Sequence, residues 1–264
     1  MSNDSLPREK RSGTIQSVSI AARFLRVLSN AEEPLQLREL ARLADTGSST
    51  AHRYLQSLIK EGLASQDSET GRYDLGPTSL SVGIAALQRI EPVEIAARHM
   101  KQLSARHTLS AGVAVWTERG PTLVRWYRSA YFAIGSIGLG DILPLDNTAT
   151  GLLFQAFFPE SKISPIRELH ARHFDGVPPT ADILEQIRST RFAEMSGHLS
   201  PGVTGQAVPV FDAQCELVCV MTTVANLGAI QDFEDRVALF NAAKLVARET
   251  GAAAAFDSTE REDQ

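Results

Sequence analysis

The sequence predicts an α+β protein in which an N-terminal winged helix-turn-helix precedes a larger domain with a mainly antiparallel sheet. Within the first 76 residues, three short amphipathic helical patterns are followed by two short extended runs around a glycine turn. Beyond them, longer strand and helix patterns alternate along the rest of the chain. The chain has 264 residues, which is enough for one large or two modest domains with buried cores.

The composition is that of a globular protein. Hydrophobic residues make up 43% and charged residues 22%, which argues against wholesale disorder. There is no uncharged apolar run of about 18 residues, the length that a membrane helix needs. The N-terminus lacks the apolar core of a signal peptide. Cys215 and Cys219 are too few for a disulfide scaffold, so we expect a reduced, cytoplasmic protein.

Changes in composition predict five segments. Polar residues open and close the chain, and Gly76-Pro77 separates the winged pattern from the C-terminal two thirds of the chain. The predicted segments are a flexible arm over 1–14, the winged helix-turn-helix over 15–76, a linker helix over 77–91, the larger domain over 92–256 and a charged tail over 257–264.

The third helix of the N-terminal pattern, expected over 48–61 after helices over 17–30 and 36–43, has two distinct faces. At 100° per residue, Ala51, Leu55 and Leu58 fall on an apolar side. The opposite side is rich in hydrogen-bond donors. This candidate DNA-binding face consists of Ser48, Ser49, Thr50, His52, Arg53, Gln56 and Lys60.

These side chains suit nucleic acid in different ways. Arg53 can donate two hydrogen bonds to a guanine edge, and Gln56 can pair with adenine. Ser49, Thr50 and Lys60 suit phosphate oxygens, which position a protein without reading sequence. Arg72, on the predicted wing, could enter a minor groove or contact phosphate.

Other interpretations of this region stay open from sequence alone. A small helical bundle can serve protein interaction or dimerisation, and Arg53 could form a surface ion pair with Glu39 or Glu61. Residues 1–78 carry ten basic and ten acidic side chains, so bulk charge does not favour DNA. Any DNA binding must therefore come from a local face.

The predicted linker helix, over 78–90, carries Leu80, Ile84 and Leu87 at heptad-like spacing. Such a stripe can form a dimer seam, or it can pack on its own domain. A further amphipathic helix is expected from Val93 to about Arg106.

The larger domain is expected to alternate strands and helices. Its predicted strands cover 112–117, 122–127, 131–134, 203–211 and 216–224. Its further helices are predicted over 147–158, 164–173, 181–189 and 233–250.

Enzyme signatures are missing from the sequence. It contains no G-x-S-x-G, no P-loop and no H-E-x-x-H. His170 and His173 lack a third metal ligand nearby, and His198 with Ser200 lacks an orienting partner. We therefore expect no catalytic residue, metal or cofactor. The alternative is a metabolite-binding protein or enzyme that uses its N-terminal bundle only for oligomerisation.

Several sequence blocks occur in a characteristic order. They are SIAARFLRVL over 19–28, LRELA over 37–41, STAHRYL over 49–55, ETGRYDLG over 69–76 and, more loosely, ATGLL over 149–153, GV over 202–203 and AVPVFD over 207–212. With these blocks the chain resembles the IclR family of bacterial transcription regulators.

The resemblance implies a winged helix-turn-helix that binds operator DNA, a linker helix and a GAF-like effector-binding domain. It also implies a homodimer or a pair of dimers that represses or activates a catabolic operon in response to a small organic acid. The chain departs from the family at Asp45-Thr46-Gly47-Ser48, where members often carry a Leu-Pro-Lys turn. The missing lysine removes a phosphate contact.

The predicted effector site is the start of the helix over 147–158. A helix start leaves about four N–H groups without intrahelical partners, and small side chains at Ala149 and Gly151 would let a carboxylate approach them. Alternatively, Thr148 or Thr150 caps the helix and the glycine serves packing. The resemblance adds three positions on the facing strands, Thr204, Gly205 and Thr222. At the position of Gly205, some members of the family carry a polar or thiol side chain.

Overall fold

The computed structural model describes residues 15–129, 137–197, 202–226 and 232–257. The chain divides into two compact units between Arg89 and Ile90. Among the described helices, none combines the length and the hydropathy that crossing a bilayer requires.

The first unit contains the predicted winged helix-turn-helix. A core that includes Phe24, Leu40 and Leu55, none of them exposed, joins its helices to the wing. The two strands of the wing pair antiparallel. Its elements are α1 (Gln16–Ser29), α2 (Leu37–Leu43), α3 (Ser48–Lys60), β1 (Ala64–Gln66), β2 (Tyr73–Leu75) and α4 (Pro77–Leu87).

Backbone conformations explain the tight connections of this unit. Asp45 adopts a φ of 51° between α2 and α3, a left-handed conformation that aspartate tolerates better than most residues. Gly62 follows α3 with a φ of 70°, as expected for a residue just past a helix end. These two positions set the directions in which α3 enters and leaves the bundle.

Helix α4 buries none of its residues. Leu80, Ile84 and Leu87 are 66%, 46% and 51% exposed. The alternative in which this stripe packs on its own domain is therefore wrong. The helix also ends at Leu87, before the predicted Ile90.

The second unit contains a sheet with helices on both of its faces. Its elements are α5 (Pro92–Arg106), β3 (Ser110–Thr117), β4 (Gly120–Tyr127), α6 (Ala149–Phe157), α7 (Glu160–His170), α8 (Ala181–Thr190), β5 (Ala193–Ser196), β6 (Val203–Phe211), β7 (Leu217–Asn226), α9 (Asp232–Thr250) and α10 (Ala254–Asp257). Among the described residues, the sheet has five antiparallel strands in the order β4-β3-β7-β6-β5. Helices α5 and α9 pack on one face of this sheet, and α6 packs on the other.

Several predicted elements differ from the structure. Strand β5 was not predicted, because its four residues are too few for an alternating pattern. Strand β4 begins at Gly120 instead of at the predicted Thr122 and therefore includes Pro121, which is possible because β4 is an edge strand. Helix α7 begins at Glu160 and carries Pro165 in its interior, whereas the prediction began at Ser164. The strand predicted over 131–134 lies outside the described residues.

Candidate nucleic-acid interface and ligand cavity

Helix α3 presents the predicted polar face to solvent. Ala51 and Leu55 are fully buried and Leu58 is nearly so, which fixes the rotation of the helix about its axis. The candidate DNA-binding face therefore points away from the core. On it, Ser48, Ser49, His52, Arg53, Gln56 and Lys60 are exposed and Thr50 is half-buried.

Arg53 is available for a partner outside the chain. Among the ion pairs of the described residues, none joins Arg53 to Glu39 or Glu61. The guanidinium thus keeps the planar set of donors that a guanine edge or a phosphate can accept. The surface-ion-pair interpretation of Arg53 is not supported.

The wing is shaped by Asp67. Its carboxylate accepts hydrogen bonds from the Glu69 amide at 3.0 Å, the Thr70 amide at 2.6 Å and the Thr70 hydroxyl at 2.8 Å. These bonds hold the pKa of Asp67 below its usual range, and the bond from the Thr70 amide has the largest effect. Gly71 completes the turn with a φ of 68°. The turn is therefore built by local hydrogen bonds that need no partner domain.

Arg72 has intramolecular partners. It donates from Nη1 to the Pro34 carbonyl at 3.0 Å, and the same nitrogen lies 4.0 Å from Glu33. Its side chain is 43% exposed. Arg72 thus ties the wing to the segment before α2, a role that the sequence pattern did not indicate.

A cavity of about 40 Å³ lies in the second unit between the start of α6 and the facing strands. Its walls are mainly apolar, and no charged side chain lines it among the described residues. Its lining consists of Leu123, Trp126, Ile137, Leu143, Asn147, Thr148, Ala149, Thr150, Met195, Val203, Gly205, Thr222 and Val224.

The indole of Trp126 brings an unused donor to this cavity. Its Nε1 is buried and has no hydrogen-bond partner among the described residues. Trp126 pairs with Gly112 across β3 and β4, and a Cβ at Gly112 would lie 2.8 Å from the ring. The glycine therefore makes room for the indole. A buried donor without an acceptor is costly, so an acceptor atom on a ligand would stabilise it.

The start of α6 is capped by Thr148. The Thr148 hydroxyl accepts from the Gly151 amide at 3.0 Å and donates to the Pro144 carbonyl at 2.7 Å. Of the two predicted capping residues, Thr148 and Thr150, it is therefore Thr148 that caps α6. Ala149 and Thr150 both line the cavity, and their amides precede the first intrahelical bond of α6 and have no acceptor among the described residues.

Gly151 does not line the cavity. A Cβ on it would lie 2.1 Å from the Leu145 carbonyl oxygen, so the glycine lets α6 pack against the preceding segment. The expectation that its small size admits a ligand carboxylate is corrected, because the missing side chain faces backbone and its amide is already bonded.

The facing strands contribute two of the three expected positions. Gly205 and Thr222 line the cavity, whereas Thr204 does not, because neighbouring residues of a strand face opposite sides of the sheet. The Thr204 hydroxyl instead lies 3.0 Å from that of Ser196. Thr222 donates to the Gln206 carbonyl at 3.0 Å, so it can only accept from a ligand. A Cβ added at Gly205 would lie 3.8 Å from the Met195 carbonyl oxygen, which is an ordinary van der Waals contact and not a clash.

The remaining candidate groups are placed apart from this cavity. Cys215 is exposed, and burial raises the pKa of the Cys219 thiol to about 12. His170 is buried and His173 exposed; the described residues contain no cluster of three or more metal-ligating side chains. His198 and Ser200 lie outside the described residues.

Sequence reasoning missed Trp126, Asn147 and the apolar lining residues of the cavity. An isolated tryptophan in a strand gives no pattern different from that of an ordinary core residue. The signal is the indole nitrogen without a partner in the described part of the chain, and it is visible only in the folded structure.

Comparison with known proteins gives concordant results. The IclR helix-turn-helix domain model matches residues 17–68. The chain is 28% identical to the glycerol operon regulatory protein of Streptomyces griseus over 75% of its length and 80% of that protein. It is 24% identical to the transcriptional repressor IclR of Escherichia coli K12, over 87% of its length and 86% of that protein.

Among solved structures, that of Pseudomonas aeruginosa HmgR superposes with a TM-score of 0.81 and 31% sequence identity. The match covers 90% of this chain and 98% of HmgR. The domain match lies on α1 to the wing, where the exposed polar face of α3 is found, and the structural match spans both units. The chain therefore belongs to the IclR family and is a DNA-binding transcriptional regulator.

Proposed function

We propose that this regulator controls a catabolic operon from the cytoplasm, as a homodimer or a pair of dimers, and that a small organic acid in the cavity changes its affinity for operator DNA. The regulator itself performs no catalytic step. The glycerol operon regulatory protein among its relatives supports control of a catabolic operon. The roles of individual residues in binding DNA and effector belong to the same proposal.

The exposed polar face of α3 supports DNA recognition through this helix. Arg53 and Gln56 read base edges, and Ser49, Thr50 and Lys60 hold phosphates. Ser48 and His52 border the same surface. Arg72 supports the surface from the wing, where its bond to Pro34 fixes the distance between wing and bundle.

Helix α4 supports dimerisation. Its leucines and isoleucine at positions 80, 84 and 87 are exposed at heptad-like spacing. A second copy of the same helix could cover this stripe in a symmetric, isologous contact. A dimer would also place two α3 helices on one duplex, which fits an operator with two half-sites.

The observation that carries the ligand proposal is the Trp126 Nε1 in the wall of an apolar cavity, a donor that has no hydrogen-bond partner in the part of the chain that the structure describes. An acceptor oxygen of the ligand satisfies this donor. A carboxylate also suits the α6 start, where the Ala149 and Thr150 amides and the helix dipole offer partial positive charge. Since no charged side chain lines the cavity among the described residues, the helix start is the local source of that charge.

The test is a titration of the protein onto its own upstream DNA with pyruvate, succinate, benzoate or phenylacetate added in turn. Thermal unfolding with the same acids is the parallel measurement, because a ligand at 100 times its Kd adds about 2.7 kcal/mol of stability. We expect at least one acid of this type to raise the unfolding temperature of the second unit and to alter DNA affinity. Tight, specific DNA binding that no small acid changes would refute the effector proposal alone.

A further inference from the structure

His170 lies on α7, outside the cavity lining, and its ring joins three segments of the second unit. The Leu145 amide donates to Nδ1 at 3.1 Å, and Nε2 lies 2.9 Å from the Arg119 carbonyl oxygen. The residue is only 5% exposed. One imidazole therefore holds together α7, the β3–β4 turn and the segment that leads into α6.

The site is shaped to admit this ring. Gly120, with a φ of 95°, has no side chain where a Cβ would lie 3.0 Å from His170 Nε2. Phe174 packs edge-on against the imidazole, with the ring centroids 5.3 Å apart. Both contacts leave the ring with little freedom to turn.

The segment held by His170, residues 144–148, forms one border of the cavity. The Thr148 hydroxyl donates to the Pro144 carbonyl, and Gln155 donates to the Leu145 carbonyl at 2.8 Å. Asn147 and Thr148 then line the cavity directly. Displacing Leu145 would thus disturb the cap of α6 and the amides that follow it.

The two partners of His170 allow a single protonation state. A backbone amide can only donate, so Nδ1 must accept; a carbonyl can only accept, so Nε2 must carry the hydrogen. A second proton would place an N–H on Nδ1, facing the N–H of Leu145. Protonation is therefore incompatible with the observed contact.

Charged groups of both signs surround this ring. Arg167 on α7 lines the same surface groove as His170, together with Asp146 and Asp175. Glu118 and Arg119 lie exposed in the β3–β4 turn that His170 contacts. His173, on the following turn, is exposed.

We propose that His170 is a positioning residue for the ligand cavity: neutral His170 clamps residues 144–148, and its protonation releases them, so that acid loosens the start of α6. The functional part of this inference rests on the proposed function, because it assumes that the cavity takes the effector. The clamp itself depends only on the hydrogen bonds of His170 with Leu145 and Arg119.

The sign of the pH effect follows from the protons bound. The clamped state binds one proton fewer on His170 than the released state, so clamping is favoured as pH rises and lost as pH falls. For a single proton, the population of the released state grows by up to about tenfold per pH unit of acidification.

Hydrogen exchange of the full-length protein at pH 7.5 and pH 5.5, scaled to the intrinsic chemical rate, tests the clamp without DNA or effector. We expect peptides over 144–157 to lose protection in acid, by up to about tenfold per pH unit, while peptides over 48–60 serve as an internal reference. His170→Asn places a non-titrating acceptor near the position of Nδ1 and should abolish the acid response. His173→Asn, the matched exposed control, should behave as the wild type.

A second readout places the effect at the cavity. In a Trp116→Phe background, Trp126 is the sole remaining tryptophan of the two in the chain. Its emission should change in acid when residue 170 is histidine and stay constant when it is asparagine. Unchanged wild-type protection over 144–157 at the two pH values would overturn the inference, as would the same acid response in His170→Asn. Either result would leave the proposed regulation of DNA by a small acid untouched.

Discussion

The two functional regions of this regulator differ in the solvent exposure of their polar groups. On α3, polar side chains project into solvent from a helix that an apolar face anchors to the core. In the second unit, the few polar groups of the cavity lie within apolar walls, and the buried donor of Trp126 has no acceptor among the residues that the structure describes. A polymeric polyanion needs an open surface, whereas a small molecule is held by a few groups that water cannot reach.

The two regions should therefore respond differently to substitution. Changes on the exposed face of α3 should alter binding and leave folding intact, because those side chains contact little of the protein. Changes around the cavity should affect stability and ligand binding to different degrees, depending on whether an added atom clashes with backbone or makes only ordinary contacts. Substitutions at Leu55, Gly151, Gly205 and Thr222 separate these cases.

The largest expected effect is on the anchored side of α3. Leu55→Ala should lower the free energy of unfolding of the first unit by about 2–5 kcal/mol, because it leaves a cavity beneath the helix. DNA binding should weaken along with folding. Chemical denaturation followed by circular dichroism measures the loss. A stability equal to that of the wild type would show that α3 does not depend on this core.

A pair of glycine substitutions distinguishes backbone contact from ligand space in the second unit. Gly151→Val should destabilise this unit by about 1–3 kcal/mol, since a Cβ at 2.1 Å from the Leu145 oxygen forces the backbone to move. Gly205→Val should leave stability nearly unchanged and remove the response to an acid that binds the wild type, because a Cβ there makes only ordinary van der Waals contacts and Gly205 lines the cavity. Thermal unfolding with and without the acid compares the two. If Gly205→Val were the destabilised variant, Gly205 and not Gly151 would be the glycine at which a side chain clashes with backbone.

A smaller effect is expected at Thr222. Thr222→Val removes the hydroxyl that donates to the buried Gln206 carbonyl, which should cost about 1 kcal/mol of stability. Ligand affinity should fall further only if the ligand also donates to this hydroxyl. Isothermal titration calorimetry separates the two outcomes, and Thr204→Val serves as the matched control outside the cavity. Equal ligand losses in both variants would argue against a direct contact at Thr222.

The smallest effect is expected for a surface cluster between α5 and α9. The bond from His99, at 2.7 Å, and the nearby Arg98 hold the pKa of Glu249 below its usual value of 4.5. The stabilisation is present above pH 4.5 and is lost as pH falls through the lowered pKa. Glu249→Gln should therefore be slightly less stable than wild type at neutral pH and equal to it in strong acid. A difference that grows on acidification would contradict this sign.

The sequence predicted the winged helix-turn-helix and the face of α3 because both depend on local periodicity. Ala51 and Leu55 on one side and Arg53 and Gln56 on the other follow directly from 3.6 residues per turn. The cavity was predicted only at the start of α6 and at positions implied by family resemblance. Trp126 could not be found, since its role depends on strands and loops that converge from distant parts of the chain.

Gly151 illustrates the same limit. Its position at a helix start suggested access for a ligand, yet what a glycine faces depends on the path of the preceding segment. The structure places the Leu145 carbonyl there. Arg72 is similar, because only the fold brings Pro34 within reach of its guanidinium.

Fluorescence anisotropy of wild type and Arg53→Ala on the protein's own upstream DNA and on a scrambled duplex tests the central claim, that the exposed face of α3 reads operator DNA. Arg53→Ala should lose about 1–3 kcal/mol of affinity for the upstream DNA, with little loss on the scrambled duplex and no change in unfolding. Arg26→Ala, an exposed arginine on α1, is the control. Wild-type affinity and selectivity in Arg53→Ala would contradict the account.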